Sequence, residues 1–287
     1  MSTSDSAVLL DRPRRLSSRL LRSELRLVFT RRRNLAILAV LACAPILLGV
    51  AIKLGSRSNR SGGGGPAFIG QITQNGLFLA FTSLVVTLPL FLPLAVSVVA
   101  GESVAGEASS GTLRSLLVVP VNRGRLLAIK FAGIIAYAVA AAAVVAVAGV
   151  VVGFVLFPTG PVTLLSGSVI PQGNALLRVA LVALYVAAML AAVAAIGLFV
   201  STLTEVPLAA MATTAIVVVT VEILDAVPQI ASIHPWLFTN WWLSFGDLLR
   251  DPVALDQMTQ GLLVNAAYVA VFGALAWARL TTKDVTS

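Results

Sequence analysis

Six apolar runs, each roughly twenty residues or longer, dominate this chain of 287 residues. They lie near 34–54, 77–100, 128–157, 175–202, 205–226 and 261–280. A hydrocarbon core of about 30 Å takes roughly 20 helical residues to cross. Inside it every backbone N–H and C=O must find a partner within the protein. The runs are continuous Ala, Val, Leu and Ile, without the short alternating segments that announce barrel strands. They specify an all-α polytopic membrane protein with six transmembrane helices. Only 11% of the residues are charged, against about 25% in a soluble domain.

The few charges set the orientation. Nine of the 20 Lys and Arg residues precede Asn34, and 15 fall on one side if the N-terminus is cytoplasmic. The other side receives Lys53, Arg57, Arg60, Arg178 and Arg250. Positive residues near span ends favour the cytoplasm, so both termini are expected inside. The chain then divides into a basic segment, 1–33, and a six-helix domain, 34–287. Within that domain a polar stretch at 101–125 is cytoplasmic and a long segment at 227–260 is an outer loop. Trp236, Phe238, Trp241, Trp242 and Phe245 crowd the outer loop, as in an aromatic belt or a pair of short interfacial helices. The other outer connections read as a glycine-rich linker at 56–66 and an ordinary loop at 157–174.

Nucleic acid is not the expected partner despite the net charge of +8, because a basic segment of about thirty residues cannot build a folded domain. One cysteine, Cys43, excludes an internal disulfide framework, and one histidine, His234, excludes paired-His zinc motifs. No cleavable signal precedes the first run, whose apolar stretch continues past 42–44. Residues 16–29 form an amphipathic interfacial helix. Arg19, Arg22 and Arg26 fall within about 60° of one another at 100° per residue. Leucines and Val28 cover the remaining surface. Such a helix lies along the headgroup boundary, its arginines toward phosphate or an acidic partner.

The polar stretch itself is ordered for more than solvation. Ser109 or Ser110 can cap a short helix whose Leu113, Leu116 and Leu117 form one apolar stripe. Pro120 ends that helix. Asn122 can cap the following span, with Val121 and Leu126 as a hydrophobic staple. From 101 to 130 the residues resemble the signature of the ABC-2 family of transporter permeases. The matching residues are Glu102, Glu107, Gly111-Thr112-Leu113, Leu116-Leu117, Pro120-Val121-Asn122-Arg123 and Lys130. The ending from Arg279 through Lys283-Asp284-Val285 and the six-span layout are similar too.

The resemblance implies a half-transporter that pairs with a second permease copy, as homodimer or heterodimer, and with two copies of an ABC ATP-binding subunit. It implies an exporter in the plasma membrane of a prokaryote, working by alternating access. ATP and Mg would be bound by the partner subunit, with no cofactor or catalytic residue in this chain. The loop between spans two and three would be the coupling helix, with Glu102, Glu107, Gly111, Thr112, Leu113, Arg114, Leu116, Leu117, Pro120 and Arg123 toward the ATPase. The short inner connection 203–205 departs from the family in lacking a basic residue. Consistently, Lys53, Lys130 and Lys283 follow no phosphate-cradling glycine loop.

Two carboxylates, Glu222 and Asp225, stand near the outer end of the fifth run as water-facing groups or exit-side polar contacts. Glu205 is expected in the first helical turn of that run. Pro89 and Pro93 are positioned to kink the second run. Rival readings are an ATP-independent channel or scramblase and a lipid-modifying membrane enzyme. The enzyme would need a nucleophile with its base, or a metal set, and one Cys with one His supplies neither.

Overall fold

The computed structural model describes residues 18–58, 72–73, 75–109, 123–163, 166–253 and 255–282. Among the described residues eight helices of ten residues or more carry the fold: α1 (Ser18–Thr30), α2 (Arg32–Ser58), α3 (Leu77–Thr87), α4 (Phe91–Ser109), α5 (Arg123–Leu156), α6 (Gln172–Leu203), α7 (Pro207–Asp225) and α8 (Asp256–Thr282). Six of them, α2 and α4 to α8, are long and apolar enough to cross a membrane. The chain is an all-α, multi-pass membrane protein. A two-residue hairpin, Val162–Thr163 with Val169–Ile170, decorates the α5–α6 connection. Three short 3₁₀ helices, Pro228–Ile230, His234–Trp236 and Trp242–Leu249, fold the outer segment before α8.

Helix α6 is the hub. It packs against α8, α5, α4, α7 and α3 and is the most buried span, whereas α2, α7 and α8 turn most of their surface to lipid. Its composition explains this: small residues at Ala187, Ala192, Ala194, Ala195 and Gly197 let neighbours approach from every side. A Cβ on Gly197 would stand 2.6 Å from the Ala100 Cβ and 3.1 Å from Thr214 Cγ2.

A second close approach joins α3 to α5. Gly149 and Gly153, four apart on α5, face Gly76 and Ala80, four apart across the start of α3. A Cβ on Gly149 would lie 2.6 Å from the Ala80 Cα, and Gly76 and Gly153 meet backbone to backbone. This is the small-xxx-small packing of membrane helices. Asn75 secures its outer end: its amide donates to the carbonyls of Gly160 and Pro161 at 3.0 and 3.1 Å, and its Oδ1 accepts the Leu77 N–H.

Several boundaries differ from those expected. The second run is not one kinked helix, because α3 stops at Thr87 and α4 starts at Phe91. Pro89 falls in the intervening turn, where it supplies no N–H to a ladder. Pro93 lies in the first turn of α4, where proline costs nothing. Helix α4 does not end at 100; it continues two turns beyond the apolar run, to Ser109. Ser109 is the last residue of that helix, its hydroxyl donating to the Gly106 carbonyl at 3.0 Å; Ser110 and the segment expected to be capped lie outside the described residues. Glu205 lies outside α7, which begins at Pro207, and α8 begins at Asp256, five residues before the apolar run. Val121 and Asn122 lie outside the described residues.

Gly149→Leu should force α3 and α5 apart and lower stability by about 1–3 kcal/mol, the usual cost of overpacking. The lipid-facing Val147→Leu should leave the melting temperature of the detergent-purified protein unchanged. Equal melting of the two variants would contradict the close packing.

Candidate functional site

The polar arm at 101–109 leaves the bundle beside the N-terminal helix, and its two glutamates are held from inside the protein. Glu102 and Glu107 are five residues apart, so they project about 140° from one another. Glu102 faces the start of α2, where its carboxylate pairs with Arg31 at 2.6 Å and also with Arg33. Glu107 faces α5 and pairs with Lys130 at 2.6 Å. Lys130 is only 2% exposed and has a second carboxylate, Glu24 of α1, at 3.6 Å. A buried ammonium is tolerated only when charge and hydrogen bonds compensate it, and two glutamates from two other helices do so.

Helix α1 reaches this cluster because Gly133 leaves room for it. A Cβ at 133 would stand 3.1 Å from Glu24 Cγ and 3.7 Å from Val28 Cγ2. Phe29 lies against Tyr137 with ring centroids 6.2 Å apart, and the Tyr137 hydroxyl donates to the Asn34 carbonyl at 3.2 Å. The Asn34 side-chain amide donates to the Val28 carbonyl at 2.9 Å, tying the α1–α2 bend. Glu24, Arg31, Asn34, Glu102, Ser103 and Glu107 line a cavity of about 20 Å³, room for one water molecule. Arg123, the first residue of α5, donates to the carbonyls of Leu280 and Thr281 at 2.9 and 3.0 Å and so binds the end of α8.

The arm is tied to α6 where it continues α4. The Ser201 hydroxyl of α6 accepts the N–H groups of Val104 and Ala105 at 3.0 and 2.9 Å and donates to the Gly101 carbonyl at 2.7 Å. Gly101 and Ala105 are an i, i+4 pair of the continuous helix α4, so the hydroxyl bonds backbone groups one turn apart. Gly101 itself touches α7: a Cβ there would lie 2.6 Å from the Met211 nitrogen. Asn265 of α8 does the same to α6, its amide taking the Ala192 N–H at 3.1 Å and donating to the Ala188 carbonyl.

At the opposite end the outer segment is strapped down by span residues. Tyr185 donates to the Trp241 carbonyl at 2.8 Å, Tyr268 to the Trp236 carbonyl at 3.1 Å, and Arg178 to the carbonyls of Leu248 and Arg250 at 2.5 and 2.9 Å. From there five rings, Trp242, Phe238, Tyr268, Phe272 and Phe199, follow one another at 5.2–6.1 Å toward the inner end of α6. Glu222 and Asp225 stand in the last turns of α7 at this outer end, where Asp225 accepts a hydrogen bond from the Thr239 hydroxyl at 3.3 Å. They are not brought to the arm.

Of the residues expected to meet a partner, Glu102, Glu107 and Arg123 are therefore gathered at one end, engaged with the protein's own groups. Arg19, Arg22 and Arg26 share the exposed face of α1 at that end. Gly111, Thr112, Leu113, Arg114, Leu116, Leu117 and Pro120 lie outside the described residues. Sequence reasoning missed Glu24, Arg31, Arg33, Asn34, Ser201 and Asn265 as members of the structure's polar joints. Only Asn265 signalled itself, as an amide inside an apolar run. No cluster of metal-ligating side chains occurs among the described residues.

Lys130→Met removes the cation that Glu24 and Glu107 share and should cost about 3–5 kcal/mol, the range for breaking a buried pair. Adding Glu24→Gln and Glu107→Gln should restore a large part of that loss in thermal melting. A triple variant no more stable than Lys130→Met would show that the carboxylates do not depend on the lysine.

The family model described as "Protein of unknown function (DUF2705)" matches residues 47–286, from the first span through the arm to the end of α8. No curated protein matches the chain. Since the match spans most of the sequence, the chain belongs to the DUF2705 family.

Proposed function

We propose that this protein is the permease subunit of an ABC transporter of the ABC-2 type, driven by a separate ATP-hydrolysing subunit. The supporting observation is the arm at 101–109, whose residues carry the resemblance and whose position suits a lever. It extends α4 beyond the apolar run, ends at the segment 110–122, and is bonded to α6 through Ser201. A push on 110–122 would reach the membrane through α4 and α5 together, because Lys130 joins them. Helix α5 spans about 50 Å at 1.5 Å per residue, about 20 Å more than the hydrocarbon needs. Its first turns therefore project beside the arm as a second rigid strut.

In this reading the protein is an exporter in a prokaryotic plasma membrane, dimeric, with two ATPase subunits holding ATP and Mg. The ring column from Trp242 to Phe199 joins the strapped outer segment to the helix that carries Ser201. That is a physical route by which the two ends could change together, as alternating access requires. Glu102 and Glu107 then stiffen the lever from within, and the apolar stripe of Leu113, Leu116 and Leu117 is the surface offered to the ATPase.

An ATP-hydrolysing subunit should co-purify with the full chain in stoichiometric amount. Leu113→Asp with Leu117→Asp should weaken that association by about 2 kcal/mol or more, roughly thirtyfold, without lowering membrane insertion or melting temperature. Undiminished co-purification of the double variant would remove the stripe from the interface. Absence of any ATPase from the wild-type preparation would remove the reading itself.

A further inference from the structure

Helix α1 contains a single acid, Glu24, and the fold turns it inward to Lys130. The consequence is an exposed face whose ionic groups are all positive. Arg19, Arg22 and Arg26 are exposed along one side of the helix, Arg32 is exposed just beyond the bend, and no carboxylate among the described residues pairs with any of them. Leu20 and Leu27, each 40% exposed, run alongside the arginines, with Leu21 at 37%. The face is held firmly, since Glu24 and Val28 pin the opposite side of α1 to α5 and Phe29, at the edge of the arginine side, packs on Tyr137.

Depth decides what meets this face. Helix α5 ends on the outer side at Leu156, and about 20 residues cross the hydrocarbon, so the inner boundary falls near Tyr137. Helix α1 contacts α5 at Lys130, Gly133 and Tyr137, which is headgroup level. We propose that this face is a binding site for anionic phospholipid in the leaflet on the arm's side. Arg19, Arg22 and Arg26 hold the phosphates, and Leu20 and Leu27 reach the acyl boundary. Phosphate oxygens match guanidinium donors. Interfacial helices place their basic residues toward anionic headgroups and their leucines below them. A soluble acidic protein would satisfy the arginines while leaving the leucines in water; a lipid covers both. The site does not depend on the transporter reading. It would nevertheless reach the arm, because the other side of α1 shares Lys130 with Glu107.

The full chain in nanodiscs of phosphatidylcholine, with and without phosphatidylglycerol, tests this. Phosphatidylglycerol should raise the melting temperature and remain bound in native mass spectra. Arg19→Gln with Arg22→Gln and Arg26→Gln should abolish both effects. Retention should fall about fivefold per arginine, roughly a hundredfold for three. Inorganic phosphate should give no shift in melting temperature. Retention of phosphatidylglycerol unaltered by the triple variant overturns the proposal. So does an equal shift with inorganic phosphate, or an acidic protein whose capture needs the arginines while lipid retention does not. Should the triple variant fail to fold, the wild-type protein decides. Retention that drops steeply with added salt supports the site, and salt-independent retention overturns it.

Discussion

A backbone carbonyl or N–H left unpaired in hydrocarbon costs several kcal/mol, and that constraint governs how this bundle can bend. Two of its helices run unbroken, yet at two places their backbone groups also bond a neighbour's side chain. Ser201 serves the ladder at Gly101, Val104 and Ala105; Asn265 serves it at Ala188 and Ala192. In both places the bond ties one helix to the backbone of the adjacent span. Helix α6 takes part in both ties.

The inner end is built on a different balance. Lys130 is buried, an arrangement that tends to yield little net stability, yet it links α1, α4 and α5 through one ammonium group. Removing water from the lysine and its glutamates fixes their mutual geometry. A partner pressing on the segment after Ser109 would therefore meet a block of three helices. Arg123 adds α8 to that block by occupying carbonyls at its C-terminal end, where a helix has acceptors to spare. Polar residues here connect elements.

Apolar contacts complete the connection between the two ends. The glycines at 149 and 153 bring α5 close enough to α3 for the outer half of the bundle to be dense. The ring column at the α6–α8 interface fills the path toward the inner joint. Close packing of this kind transmits displacement, because interiors have few voids to absorb it. Against this frame the outer segment is a strapped cap, bonded through its carbonyls to Tyr185, Tyr268 and Arg178.

The number of spans and their helical character were legible in the chain because they follow from composition and length against the thickness of a bilayer. The basic face of the N-terminal helix was legible because it is a local periodicity. The extent of α4 was not. Residues 101–109 read as loop by polarity, and helical geometry there is sustained by Arg31, Arg33 and Lys130, which come from elements 70 residues earlier and 23 later. For the same reason the sequence marked Glu102 and Glu107 as outward contacts, while the tertiary structure spends them on internal cations. Local pattern determines which segments enter the membrane and which carry charge. Which charge meets which, and how far a helix runs past the membrane, depends on contacts between distant residues, and only the assembled bundle brings those together.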